Sequence, residues 1–256
     1  MIPYHDENKT QRPAYVTLAV VAVNVFAWLI VQGAGNEESL AASVCQLGLI
    51  PGELTGALRP GLAVPLGEDL PCRIDQGSQI SNIFASMFLH GSWMHLIGNM
   101  WFLWLFGNNV EDAMTRSRFI VFYLLCGIAA ALLQVVTSPS SPVPMVGASG
   151  AISGVMGAYL VLYPRVRVFT LVPIGFFITT IALPAWVMLI YWAVLQLAGG
   201  FGGLLGERET GGGVAFWAHV GGFVAGVVLV KLFVSSDHMR AHRADHWAPR
   251  TVWREY

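Results

Sequence analysis

The sequence predicts an all-α membrane protein of six transmembrane helices, with both termini cytosolic and a long outer loop after the first helix. Three observations lead there. Hydrophobic residues make up 55% of the 256 positions and charged residues only 11%, against roughly 25% charged in soluble domains. Six apolar runs recur, near residues 14–32, 94–110, 118–137, 149–163, 177–197 and 215–234. A crossing helix needs about 20 such residues, and only the fourth run is clearly short. The basic residues are also lopsided. Six spans with cytosolic ends place eleven of the fourteen inside, namely Lys9, Arg12, Arg116, Arg118, Arg165, Arg167, Lys231, Arg240, Arg243, Arg250 and Arg254. Arg59, Arg73 and Arg208 fall outside, which is the asymmetry of the positive-inside rule.

Residues 1–13 read as a short cytosolic lead. This polar, acidic start lacks a signal-peptide pattern and the Arg-rich look of an organelle transit peptide. With the charge pattern, that favours a bacterial plasma membrane. Span one carries Asn24 and Trp28 but no group suited to catalysis. Residues 33–93 form the outer loop. It holds Cys45 and Cys72, and spacing leaves both a bridge and two free thiols open, since a bridge needs a specific geometry. The semi-apolar segment 80–89 is read as an amphipathic interfacial helix. Span two opens on His90-Gly91-Ser92-Trp93-Met94-His95-Leu96-Ile97-Gly98-Asn99, with His95 and Asn99 on one helical face. It stops at Gly107-Asn108-Asn109-Val110-Glu111-Asp112. In span three, Gln134 and Cys126 are assigned to packing.

Span four follows a Ser/Pro-rich loop, 138–144, and opens with Gly147-Ala148-Ser149-Gly150. A short helix with a serine at its mouth reads as one that starts below the membrane surface, where irregular backbone persists only if buried in protein or beside a wet cavity. Gly150, Gly154 and Gly157 give it a close-packing face. Span five contains Pro184, read as a kink, and Gln196, and its aromatics Trp186, Tyr191 and Trp192 are read as lipid and packing contacts. A glycine-dense loop, 199–213, precedes span six, where His219, Gly222 and Gly226 share a stripe. The tail 236–256 carries His238, His242 and His246 among arginines and is read as a basic segment at the lipid surface rather than a metal tract.

Spans two, four and six all begin on the outer side, so Ser149, His219, His95 and Asn99 share one depth. Their chemistry is complementary. A serine becomes a nucleophile when an adjacent imidazole takes its proton. The oxyanion that follows needs fixed donors. The Ser149 amide at a helix N-terminus, His95 and Asn99 can supply them. Gly147 and Gly150 let backbone and substrate approach. No acidic residue within the spans can orient His219, so a dyad is expected, with glycine-to-glycine packing of spans four and six holding it.

Other chemistries fail on inventory. There is no H-E-x-x-H for zinc, and aspartates at membrane depth are missing for a paired-aspartate protease. His90, His95 and His219 do not share a face, so no metal site is expected. A net charge of −1 provides no field for nucleic acid. A small transporter would call for membrane-depth charges and an inverted repeat.

Gly147-Ala148-Ser149-Gly150, His90…His95…Asn99 and Ala218-His219 together resemble the rhomboid family of intramembrane serine proteases, over about residues 14–235. The resemblance implies a six-span bundle with Ser149 as nucleophile and His219 as base. It makes His95, Asn99 and the Ser149 amide the oxyanion donors, with His90, Gly147, Ala148, Gly150 and Gly222 as supporting motif positions. It further implies transmembrane protein substrates in the lipid bilayer and no cofactor. The rival from another class is a non-catalytic rhomboid-like protein that binds transmembrane clients. Two positions depart from many relatives: Ser81-Asn82 stand where a Trp-Arg pair is common, and Ser153 stands where an aromatic ring supports the histidine.

Overall fold

The computed structural model describes residues 2–65, 71–74, 80–175, 177–204 and 214–240. The chain begins with strand β1 (Ile2–Asp6) and helix α1 (Tyr15–Phe26), which ends in a π-helical turn, Ala27–Val31. The outer loop folds into α2 (Glu37–Leu47), α3 (Pro51–Leu54), β2 (Ala63–Pro65), β3 (Pro71–Arg73) and α4 (Ile80–Ala85). Then come α5 (Trp93–Ala113), α6 (Arg116–Thr137), α7 (Ser149–Leu162), β4 (Arg167–Ile174), β5 (Phe177–Pro184), α8 (Ala185–Leu204) and α9 (Phe216–Phe233). By length and composition α6, α8 and α9 can each cross a membrane. The apolar segments Tyr15–Val31 and Ser149–Leu162 are shorter.

Helix α7 is the axis of the bundle. Every residue from Gly150 to Tyr159 is buried, and α5, α6 and α9 pack around it. At 1.5 Å per residue its 14 residues span about 21 Å, less than the ~30 Å hydrocarbon core. Glycines allow α9 to approach backbone to backbone. A β-carbon on Gly222 would lie 1.9 Å from the Gly150 carbonyl oxygen, and one on Gly226 1.9 Å from that of Gly154. The outer faces of the surrounding helices remain apolar and exposed, with Phe26, Ile30, Trp104, Val136, Val228 and Leu232 among them. Contiguous apolar surface of this kind belongs against lipid.

The fold is mostly helical, but the all-α expectation needs correcting. A three-stranded antiparallel sheet, in the order β1-β4-β5, joins the chain start to the segment between α7 and α8. The fifth apolar run, expected to be helical from residue 177, is strand as far as Pro184. Its β-branched content (Ile178, Thr179, Thr180, Ile181) and the turn at Gly175, φ +59°, suit a hairpin. Pro184 therefore ends a strand instead of kinking a helix. Two helix ends also move. Helix α5 runs through Glu111 and Asp112 to Ala113, and α8 extends to Leu204 into the glycine-rich stretch. His242 and His246 lie outside the described residues.

The carboxylates at the far end of α5 are structural. Glu111, buried, accepts hydrogen bonds from the Val16 and Thr17 amides (2.9 and 2.7 Å) and the Thr17 hydroxyl (2.8 Å), capping α1, whose N-cap Ala14 has no polar side chain to offer. Asp112 pairs with Arg12 at 3.1 Å. Asp6 of β1 accepts from the Tyr159 hydroxyl at 2.6 Å and the Asn109 amide at 2.9 Å.

Candidate active site

The loop before α7 is held by the outer loop. Leu49 and Met145 exchange backbone hydrogen bonds at 3.0 and 2.8 Å, and the Gly147 amide donates to the Ser86 carbonyl at 2.9 Å. Asn82 donates to the carbonyls of Gln46 (3.0 Å) and Gly48 (3.1 Å). That buried amide anchors the outer loop. Cys45 and Cys72 are bonded, Cα to Cα 5.4 Å, tying α2 to β3. Segment 80–89 is the short helix α4 followed by a 3-10 turn, with Asn82, Ser86 and Met87 buried.

A cavity of about 1000 Å³ opens at the end of the bundle where α5, α7 and α9 begin. Ser149, His219, His95 and Asn99 all line it, with Trp192 of α8 and the Glu37 face of α2. His219 Nε2 lies 2.8 Å from Ser149 Oγ. Its other ring nitrogen, Nδ1, lies 2.7 Å from Oε1 of Gln196. An amide oxygen only accepts, so Nδ1 carries the hydrogen and Nε2 presents a lone pair to the serine hydroxyl.

The donor side is set from α5. Ser92 caps that helix by accepting from the His95 amide at 3.1 Å. The Gly91 amide donates to His95 Nδ1 at 3.3 Å, which leaves the hydrogen on Nε2. Gly147 has φ +130°, and a β-carbon there would lie 2.9 Å from His95 Nε2 and 3.5 Å from Ser149 Oγ. Only glycine leaves that point open. An oxygen near it would sit between a nucleophile and a donor. Asn99 is 8% exposed, and its Nδ2 has no hydrogen-bond partner among the described residues. A buried, unspent donor costs about 1–3 kcal/mol and is what a developing oxyanion requires. His90 is fully buried and packs edge-on against His95, with ring centroids 5.1 Å apart. Its backbone is clamped by Gln32, which accepts from the His90 amide (2.8 Å) and donates to its carbonyl (2.7 Å).

Three readings of the sequence need revision here. Gln134, assigned to packing, accepts from the Ala218 amide at 3.2 Å and so caps α9 one residue before His219. His219 does have a polar partner on its far nitrogen, Gln196, and glycine packing is not its sole support. Trp192, read as a lipid or packing residue, lies against the His219 ring at 5.8 Å between centroids. The ring support absent at Ser153 is thus supplied from α8. Ser153 itself donates to the Ser149 carbonyl at 2.6 Å. The signal for Gln134 and Gln196 was present in the sequence, because an uncharged amide in an apolar span needs a partner. Which partner it takes depends on the fold.

A helical bundle with exposed apolar outer faces defines a membrane protein, and a serine–imidazole pair lines a cavity at one end of it. The rhomboid domain profile matches residues 77–236, and the chain belongs to the rhomboid family. It is 32% identical over 165 residues to "Rhomboid-like protease 5" of Toxoplasma gondii, covering 62% of this chain and 17% of that protein. It is 31% identical over 181 residues to "Rhomboid protein 1, mitochondrial" of Saccharomyces cerevisiae, covering 66% and 47%. With "Presenilin-associated rhomboid-like protein A, mitochondrial" of Danio rerio it shares 30% over 129 residues, covering 47% and 34%. The matches thus span less than half the length of these relatives.

Proposed function

We propose that the protein is an intramembrane serine endopeptidase that cleaves membrane-anchored proteins in or near a transmembrane segment, using Ser149 and His219. The observation that carries this reading is the 2.8 Å separation of His219 Nε2 from Ser149 Oγ at the wall of a cavity. In the proposed reaction a substrate segment enters sideways between α5 and α8 and frays near small residues. Ser149 Oγ bonds to the scissile carbonyl carbon as its proton passes to His219 Nε2. The carbonyl electron pair moves to the oxygen, facing the His95 Nε2 hydrogen, Asn99 Nδ2 and the Ser149 amide. When the carbonyl re-forms, the C–N bond breaks, and the leaving amine takes the proton from His219. A water then gives its proton to the same nitrogen and releases the acyl group, restoring the serine.

The same reading has α1, α5, α6, α7, α8 and α9 as six spans, with both termini cytosolic. It takes residues 14–235 as the protease core, 1–13 as a lead and 236–256 as a tail. The distribution of Lys and Arg supports that orientation. The charge pattern supports a bacterial plasma membrane, whereas the relatives named above include mitochondrial proteins and do not point there.

The test is purified protein in liposomes with a tagged transmembrane substrate. Ser149→Ala and His219→Ala should each lower cleavage by about 10³-fold or more, and a fluorophosphonate probe should label Ser149 alone. Undiminished cleavage by Ser149→Ala would remove the assignment. Absent labelling and absent cleavage in the unaltered protein would favour the client-binding reading.

A further inference from the structure

We propose that Gln196 is a positioning residue of the catalytic unit: its amide oxygen holds His219 in the tautomer that can deprotonate Ser149, with the Trp192 ring bracing the imidazole. The proposal rests on the Ser149–His219 reading above and adds a third member to it.

The geometry is a continuous relay of hydrogen bonds across three helices. Gln196 Oε1 on α8 is 2.7 Å from His219 Nδ1 on α9, and His219 Nε2 is 2.8 Å from Ser149 Oγ on α7. Trp192 lies one turn before Gln196 on α8, and its ring is tilted 39° against the imidazole. One helical face therefore presents both an acceptor for the ring edge and a surface for the ring face. Without the acceptor, a neutral imidazole is free to carry its hydrogen on Nε2. That nitrogen would then donate to Ser149 and could not take its proton. The Ser149 contact would then be the one hydrogen bond among the described residues opposing rotation of the ring.

An amide suits this position better than a carboxylate. A charge near the middle of an apolar helix costs about 2.5–3.5 kcal/mol on insertion scales. A neutral amide oxygen accepts from Nδ1–H without that cost. It stabilises the transient imidazolium less than a carboxylate does, but orients it equally. Other groups around His219 cannot substitute. From α5 the titratable neighbour is His95, which is spent on the oxyanion side. From α6, Gln134 is committed to the Ala218 amide. From α7, Ser149 itself and Ser153 face the site, and Ser153 is bonded to the Ser149 carbonyl. No acidic side chain contacts the ring among the described residues.

The experiment compares Gln196→Leu and Gln196→Glu with the unaltered full chain in liposomes. The probe is a transmembrane peptide with a fluorophore and quencher flanking a small-residue stretch, and kcat and KM are followed from pH 5 to 9. Gln196→Leu should lower kcat about 100-fold, within the range for general acid–base assistance, with KM changed less than about twofold. Gln196→Glu keeps the acceptor and should retain activity. Its carboxylate favours the protonated ring, so the acid limb of its rate–pH profile should move to higher pH. A residue that merely packs would leave that limb in place. Unchanged kcat in a folded Gln196→Leu variant overturns the proposal. If Gln196→Leu does not fold, an unmoved acid limb in Gln196→Glu does the same. Ser149→Ala is run in parallel. Cleavage that survives it sinks the dyad reading itself. Its loss, beside a fully active Gln196→Leu, sinks only the role of Gln196.

Discussion

An imidazole has two nitrogens, and what each one touches decides whether the ring is a base or a bystander. At His219 the two contacts are an amide oxygen and a serine hydroxyl. At His95 they are a backbone amide and open cavity. The same side chain is thereby prepared as proton acceptor in one place and donor in the other. Two predictions belong at this scale. Asn99→Ala should cut kcat by about 10²-fold, as loss of one oxyanion donor does, and raise thermal stability slightly, because an unpartnered buried donor disappears. Melting curves and single-turnover cleavage check the pair of outcomes. Gly147→Ala should abolish cleavage in a protein that still folds. Its β-carbon would crowd the His95 ring at 2.9 Å and its φ of +130° disfavours any side chain. Wild-type turnover by that variant would show that the opening beside Gly147 is not where substrate reacts.

At the scale of elements, α7 and α9 are set by glycine, and the outer loop by a disulfide and an amide. Gly226→Ala puts a methyl 1.9 Å from the Gly154 carbonyl oxygen, which is rigid backbone. The expected cost is about 3 kcal/mol or more, read as loss of folded protein in detergent. Gly98→Ala, with nothing within 4 Å of the added carbon, is the control and should hold or gain stability. Removing the Cys45–Cys72 bond, 27 residues apart, by Cys45→Ser/Cys72→Ser should cost the outer loop about 2–4 kcal/mol. Because α2 lines the cavity and Leu49 pairs with Met145, proteolysis of the outer loop should rise and substrate KM with it. An unchanged loop protection factor in hydrogen exchange would contradict this.

For the molecule as a whole, the end opposite the cavity is tied by buried polar groups, and this gives stability a pH dependence. Burial pushes the Asp6 carboxyl up to about 6 from its usual 3.8, against the lowering effect of the Tyr159 hydroxyl bond. A carboxyl raised in the folded state binds its proton more tightly there than in the unfolded chain. Its stabilising effect is therefore full below about pH 4, fades as pH rises through 6, and is absent above. Melting temperature should fall between pH 4 and 6 from this group, and Asp6→Asn should flatten that slope. A slope identical in both proteins would assign the dependence elsewhere.

Much of this architecture was legible in advance, for identifiable reasons. Serine at the mouth of a short apolar helix, and histidine on a glycine stripe, are costly in lipid unless they meet. The hairpin at 167–184 was missed because its apolar length imitates half a helix, and periodicity cannot separate the two in a short run. Gln134 and Gln196 were seen as residues but not as partners. An amide's partner is fixed by helix rotation and tilt, and these emerge only when all the helices pack together.

The sequence by itself determined the class of protein, most of the apolar helical segments, and the identity of the serine, histidines and asparagine around the cavity. Each of those follows from local composition or from spacing along one helix. Only the tertiary structure decided that an amide from α8 meets the far nitrogen of His219, that Trp192 replaces a ring absent at Ser153, and that Glu111 caps α1. Those contacts join residues 23 to 95 positions apart, where chain order carries no information about distance and packing alone sets it.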